Sequence, residues 1–143
     1  MLERDGRLLG LDIGAKTVGM AISDAGLTIA SPIGTIRRGK FAADADALFR
    51  TVDERRVGAL VVGLPINMDG SEGPRCQSVR QFGANLQARR DLPIAFWDER
   101  LSTMAVERAM IAADLSRAKR AQRIDAAAAA YILQGALDAL RNR

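Results

Sequence analysis

No histidine occurs among the 143 residues. Ser-His-Asp and Cys-His nucleophilic catalysis are therefore excluded, as is any histidine-ligated zinc or iron. The single cysteine, Cys76, can neither close an internal disulfide nor build a cysteine-rich zinc site. No apolar run approaches the roughly 18 residues of a membrane span; the longest, Ala126 to Leu133, is mostly alanine. The first residues, Met1 to Arg7, lack the apolar stretch of a secretory signal. A cytoplasmic location with no membrane partner is the expectation. What remains for chemistry is carboxylates, Lys, Arg, hydroxyls, Tyr131, or a metal held by oxygen.

The length suits one globular domain, residues 1–143, with one core. The formal charge of +4 permits a polyanionic partner such as nucleic acid. Of the 21 basic residues only Lys16, Lys40 and Lys119 are not arginine. Genomic base composition could produce that bias without function, so the charge alone decides nothing.

Arg7–Gly14 and Thr17–Asp24 run or alternate apolar around a short Ala15-Lys16 connection and predict a β-hairpin. Ile29–Ile36 predicts a third strand, irregular or at an edge because of Pro32. A helix is expected over about Ala42–Arg56, with Ala45, Leu48, Phe49 and Val52 at helical spacing. The continuous apolar run Val57–Gly63 suits a central strand covered on both faces. A Gly/Pro/Asn loop then leads to a helix over Pro74–Arg89, with Pro74 in its first turn. A short strand, Pro93–Trp97, a helix over about Ser102–Ala113 and a last helix over about Ala121–Leu140 complete the order βββ-α-β-α-β-α-α. That order implies a mixed sheet with helices packed on it.

Three acids stand out. In "GLDIG", strand alternation puts Gly10, Asp12 and Gly14 on one face. The bare backbone on both sides leaves room for a bulky charged partner, and an isolated carboxylate in such a strand is costly unless paired or bound to metal. The plain alternative is a turn cap at the strand's end. "WDER" places Asp98 and Glu99 at the end of the fifth strand, on opposite faces, so at most one can point to a given site. Spacing does not say which, and simple solvation or a favourable charge on the following helix would also explain them. Asp125 precedes five consecutive alanines, which permit close packing of its helix on the sheet. A helix-dipole role is an equally good reading for that residue alone. Together the three could converge on Mg²⁺, which takes oxygen ligands and is commonly held by a few carboxylates plus substrate phosphate. Paired metals of this kind serve phosphodiester hydrolysis.

Other stretches fit a phosphate-bearing substrate. The loop Gly63–Gly73, with Asn67 within it, runs into a helix start, where exposed N–H groups can meet an anion. Arg117, Lys119, Arg120 and Arg123 precede Asp125, and Lys16 follows Gly14. These could contact backbone phosphates, although a charge run is more often a solvated face.

The blocks "GLDIGAKTVGMAISD", "VVGLPINMDGSEG", "DERLST" and "RIDAAAAAYIL" resemble, in order and over about Leu8–Leu137, the YqgF/RuvX family of Holliday junction resolvase-like and pre-16S rRNA nucleases. The resemblance implies a ribonuclease H-like α/β fold: a mixed five-stranded sheet, its first three strands antiparallel, with helices on both faces. It implies a Mg²⁺- or Mn²⁺-dependent nuclease with Asp12, Glu99 and Asp125 as catalytic, metal-binding carboxylates, Asp98 being kept as the alternative ligand. The substrate side would comprise Lys16, Asn67, Arg100, Arg117, Lys119, Arg120 and Arg123. The expected partner is nucleic acid, namely precursor 16S rRNA or ribosomal precursor particles, with the chain a monomer or homodimer. The alternatives are a resolvase acting on DNA junctions and a non-catalytic ribosome-assembly factor.

Overall fold

The computed structural model describes residues 6–99 and 117–142, and over 117–125 the backbone alone. The helix expected over Ser102–Ala113 and the candidate Arg100 lie outside the described residues.

The sheet contains β1 (Arg7–Ile13), β2 (Thr17–Ser23), β3 (Ala30–Arg37), β4 (Val57–Leu64) and β5 (Ile94–Asp98), in the order β3-β2-β1-β4-β5. The first three are antiparallel, while β4 and β5 run parallel to β1. This is the mixed ribonuclease H-like sheet that the family resemblance implies. β3 lies at an edge, and its register with β2 slips between Met20, opposite Gly34, and Ala21, opposite Pro32. Pro32 has no N–H to give to a ladder, so the irregular edge strand is where it can sit.

Helices α1 (Phe41–Glu54) and α2 (Pro74–Arg89) cover one face, and α3 (Arg117–Arg141) covers the other. The expected apolar stripes are the buried ones: Ala45, Leu48 and Val52 on α1, and Val79, Phe82 and Leu86 on α2. They close the larger core against Leu9, Leu11, Val18, Leu60 and Val62. α3 already includes Arg117, ahead of the Ala121 start that the sequence suggested. The polar run Arg117–Arg123 is rich in Ala, Arg, Lys and Gln, whose helix propensity is high, so polarity there does not mean loop.

α3 packs through Ala129, Ile132, Leu133 and Leu137 onto Ala21 and Val61. The approach is close because small residues face each other. A Cβ added at Gly10 would lie 2.8 Å from Leu133 Cβ and 3.0 Å from the Ala129 carbonyl oxygen. Neither atom is the free end of a flexible chain, so the helix itself would have to move. Gly10→Ala is therefore expected to lower unfolding stability by about 1–3 kcal/mol, the usual cost of overpacking. Gly39→Ala, where an added Cβ meets nothing within 4 Å, should stay within about 0.5 kcal/mol of the wild type. Denaturant unfolding of the two variants checks the contrast.

Candidate active site

Asp12 lies near the end of β1, and three features empty the space around it. Along its own strand Gly10 shares its face. Across the ladder its partner on β2 is Gly19, and opposite residues on paired strands point to the same side. On β4, Gly63 comes one residue after Val62, the partner of Leu11. Asp12, partly buried, therefore looks across a glycine floor under α3.

Glu99 enters that trough from β5. Trp97 pairs with Gly63 and packs on the α3 side, whereas Phe96 packs in the core on the α1–α2 side. Alternation gives Asp98 the Phe96 side and returns Glu99 to the α3 side. The Glu99 N–H donates to the Leu64 carbonyl at 3.2 Å, which ties the residue to the end of β4. Its side chain then crosses Gly63 so closely that a Cβ there would collide with Glu99 Oε2 and with Ile132. Asp98 is exposed.

The electrostatics follow from this placement. Burial, then the Asp12 charge and more weakly that of Asp98, push the Glu99 carboxyl up to about 7, while Arg75 pulls the other way. Glu99 Oε2 is buried and has no hydrogen-bond partner among the described residues. Two carboxylates that repel each other, one with a buried oxygen lacking a donor, form an incomplete set. A hard divalent cation, which prefers oxygen ligands, fits these donors. Among the described side chains no group of three metal-ligating acids assembles. The third candidate, Asp125, occupies the α3 position one turn before Ala129, and its side chain lies outside the described residues. α3 runs from Leu133 and Ala129 over Gly10 toward that position. The same stretch of helix carries Arg117, Lys119, Arg120 and Arg123.

Lys16 is exposed in the β1–β2 turn, where the Gly14 N–H donates to the Thr17 carbonyl. Asn67 lies on the loop after β4, beside a cleft of about 400 Å³ that Glu99 also lines. Sequence reasoning passed over Gly19 and Gly63, which complete the trough, and Arg75, which faces Glu99. The glycines in "TVGM" and "VVGL" are a visible signal, but only the strand register relates them to Asp12.

The family model described as "RuvX: Holliday junction resolvase" matches residues 6–139. A protein of Paramagnetospirillum magneticum named "Putative pre-16S rRNA nuclease" is 63% identical over 137 residues, covering 96% of this chain and 88% of the relative. A Sphingopyxis alaskensis protein of the same name is 63% identical, covering 97% and 91%. Among solved structures, Thermus thermophilus RuvC in complex with Holliday junction substrate matches with a TM-score of 0.61 at 14% identity, over 96% of each chain. The fowlpox virus resolvase with Holliday junction DNA matches at 0.58 and 10% identity, over 94% of this chain and 98% of that one. At such identities these two establish the shared fold.

The raised Glu99 affinity for protons has a consequence for stability. Unfolded, this carboxyl titrates near 4.5; folded, near 7. Between those values the folded state holds more protons, so stability falls as pH rises through this window and stays lowered above it. In metal-free protein, Glu99→Gln should thus raise the melting temperature at pH 8 and leave it unchanged at pH 4. Thermal unfolding in EDTA at both pH values measures this, and a gain of equal size at both would contradict it.

Proposed function

Because the chain belongs to the RuvX family, we propose that it is a divalent-metal-dependent endonuclease that matures the 5′ end of precursor 16S rRNA. The observation that carries this reading is the pair Asp12 and Glu99, facing each other over a glycine floor with Glu99 Oε2 unpartnered. The rRNA substrate is taken from the names of relatives about 60% identical over nearly the whole chain. Residues 1–143 act as a single nuclease domain, in the cytoplasm, as a monomer or homodimer. Among the described residues no helix is long and apolar enough to cross a membrane.

Asp12, Glu99 and Asp125 would hold Mg²⁺ or Mn²⁺; Asp98, the alternative weighed from sequence, turns to the opposite face of β5 and is exposed. Such an ion would supply a water of lowered pKa for in-line attack and would offset charge on the leaving oxygen. The chain does the rest by positioning. The glycine floor lets a backbone phosphate come close to Asp12 and Glu99, and α3 closes the far side of the trough. Lys16, Asn67 and Arg100, with Arg117, Lys119, Arg120 and Arg123 of α3, contact the phosphates on either side. Water adds to phosphorus and the 3′-oxygen leaves, giving a 5′-phosphate and a 3′-hydroxyl with no covalent enzyme intermediate.

Cleavage of precursor 16S rRNA and of a four-way DNA junction, each with Mg²⁺, Mn²⁺ or EDTA, tests the reading. Metal-dependent cutting of the rRNA is expected, reduced at least about 100-fold in a folded Asp12→Asn protein, in keeping with loss of a group that holds the reacting centre. Strict preference for the junction would make the protein a resolvase. Unaltered cellular function of Asp12→Asn would make it a non-catalytic assembly factor.

A further inference from the structure

Glu99 also borders a second feature, which extends away from the carboxylate pair. Between the loop after β4 and the start of α2 runs the cleft of about 400 Å³, with Pro65, Ile66 and Met68 as apolar lining and Asn67, Arg75 and Glu99 as polar lining. That volume falls within the roughly 300–1,000 Å³ of small-molecule sites. The loop wall is fixed in advance. The Asn67 N–H donates to the Ser71 carbonyl at 2.9 Å, and the Gly70 N–H to the Asn67 carbonyl at 2.8 Å. Asn67 Nδ2 donates to Ser71 Oγ at 3.1 Å, and Asp69 Oδ1 accepts from the Ser71 N–H and hydroxyl. Met68 nevertheless stays 74% exposed, an adaptable apolar side chain beside an open cleft.

Arg75 connects this cleft to a smaller one of about 180 Å³, lined also by Gly14, Arg38 and Ser78. Arg38 is already oriented: its Nη1 donates to the Gly14 carbonyl at 2.7 Å, and its guanidinium lies 5.1 Å from the centre of the Phe82 ring. Two guanidiniums therefore follow one another beside the carboxylate pair, the first next to a half-apolar cleft. Guanidinium suits phosphate oxygens. An apolar slot with a few polar groups suits a base that has left its stack, whereas a paired base cannot enter one.

We propose that this cleft receives one unpaired nucleotide of the substrate strand, its base against Ile66 and Met68 and its phosphate on Arg75, with Arg38 meeting the next phosphate. The proposal rests on the nuclease reading and gives it a substrate class: cutting beside single-stranded positions rather than within duplex.

Binding in EDTA separates this from catalysis. A labelled short oligoribonucleotide, alone or annealed to its complement, is titrated by fluorescence anisotropy at several salt concentrations. The wild type should prefer the single strand by about tenfold, as for burying roughly 60 Å² of base surface against Ile66 and Met68. Arg75→Ala should weaken single-strand binding by about tenfold and flatten the slope of log K against log salt by about 0.7, as for one lost phosphate contact. Arg75→Lys should keep that slope, and Met68→Asp should remove the single-strand preference. Equal affinity for both forms, or variants that bind like the wild type, would overturn the assignment. Metal-dependent cleavage by a protein that binds both forms equally overturns the cleft and leaves the nuclease reading intact. Strand-selective binding that depends on Arg75 and Met68, without cleavage by the wild type, does the reverse.

Discussion

Asp12 and Glu99 repel each other, and the sheet brings both to one face. The Glu99 N–H is tied to the end of β4, and its side chain can only cross Gly63 because that residue has no Cβ. Asp12 is held by β1 with Gly19 opposite it. α3 lies over the same face, close enough that Gly10 and Gly63 could not be any other residue without displacing Leu133 or Ile132. The close helix and the crowded carboxylates thus have one cause, a row of missing side chains. Packing on α3 helps bury Glu99, and burial raises the cost of its charge.

Arg75 sits where it opposes the shift that burial and Asp12 impose on Glu99. Arg38 is fixed by the Gly14 carbonyl and the Phe82 ring beside the same end of the sheet. The basic residues at the start of α3 belong to the helix that closes the trough. The modest net charge of +4 therefore matters less than where the arginines lie.

Much of this could be read from the chain. Pro74 marks the first turn of α2, and the apolar run from Val57 marks a strand with neighbours on both sides. Asp12 was conspicuous because glycines flank it on its own strand. The choice between Asp98 and Glu99 was not legible, because it depends on β5 register: Trp97 opposite Gly63 turns Glu99 toward α3. Gly19 and Gly63 were equally silent, since their nearness to Asp12 comes from pairing between strands. The start of α3 was misread because Arg117–Arg123 is polar, and polarity marks exposure rather than loop. Asp125 and Arg100 stand on the family resemblance and on chain position alone.

The shared site is tested most directly by following the Glu99 carboxyl carbon by NMR through a pH titration, without and with Mg²⁺. Without metal a midpoint near 7 is expected, shifting down toward the ordinary carboxylate range and below when Mg²⁺ is added, as a cation replaces the missing donor. A midpoint near 4.5 without metal, or one that Mg²⁺ leaves in place, would contradict it.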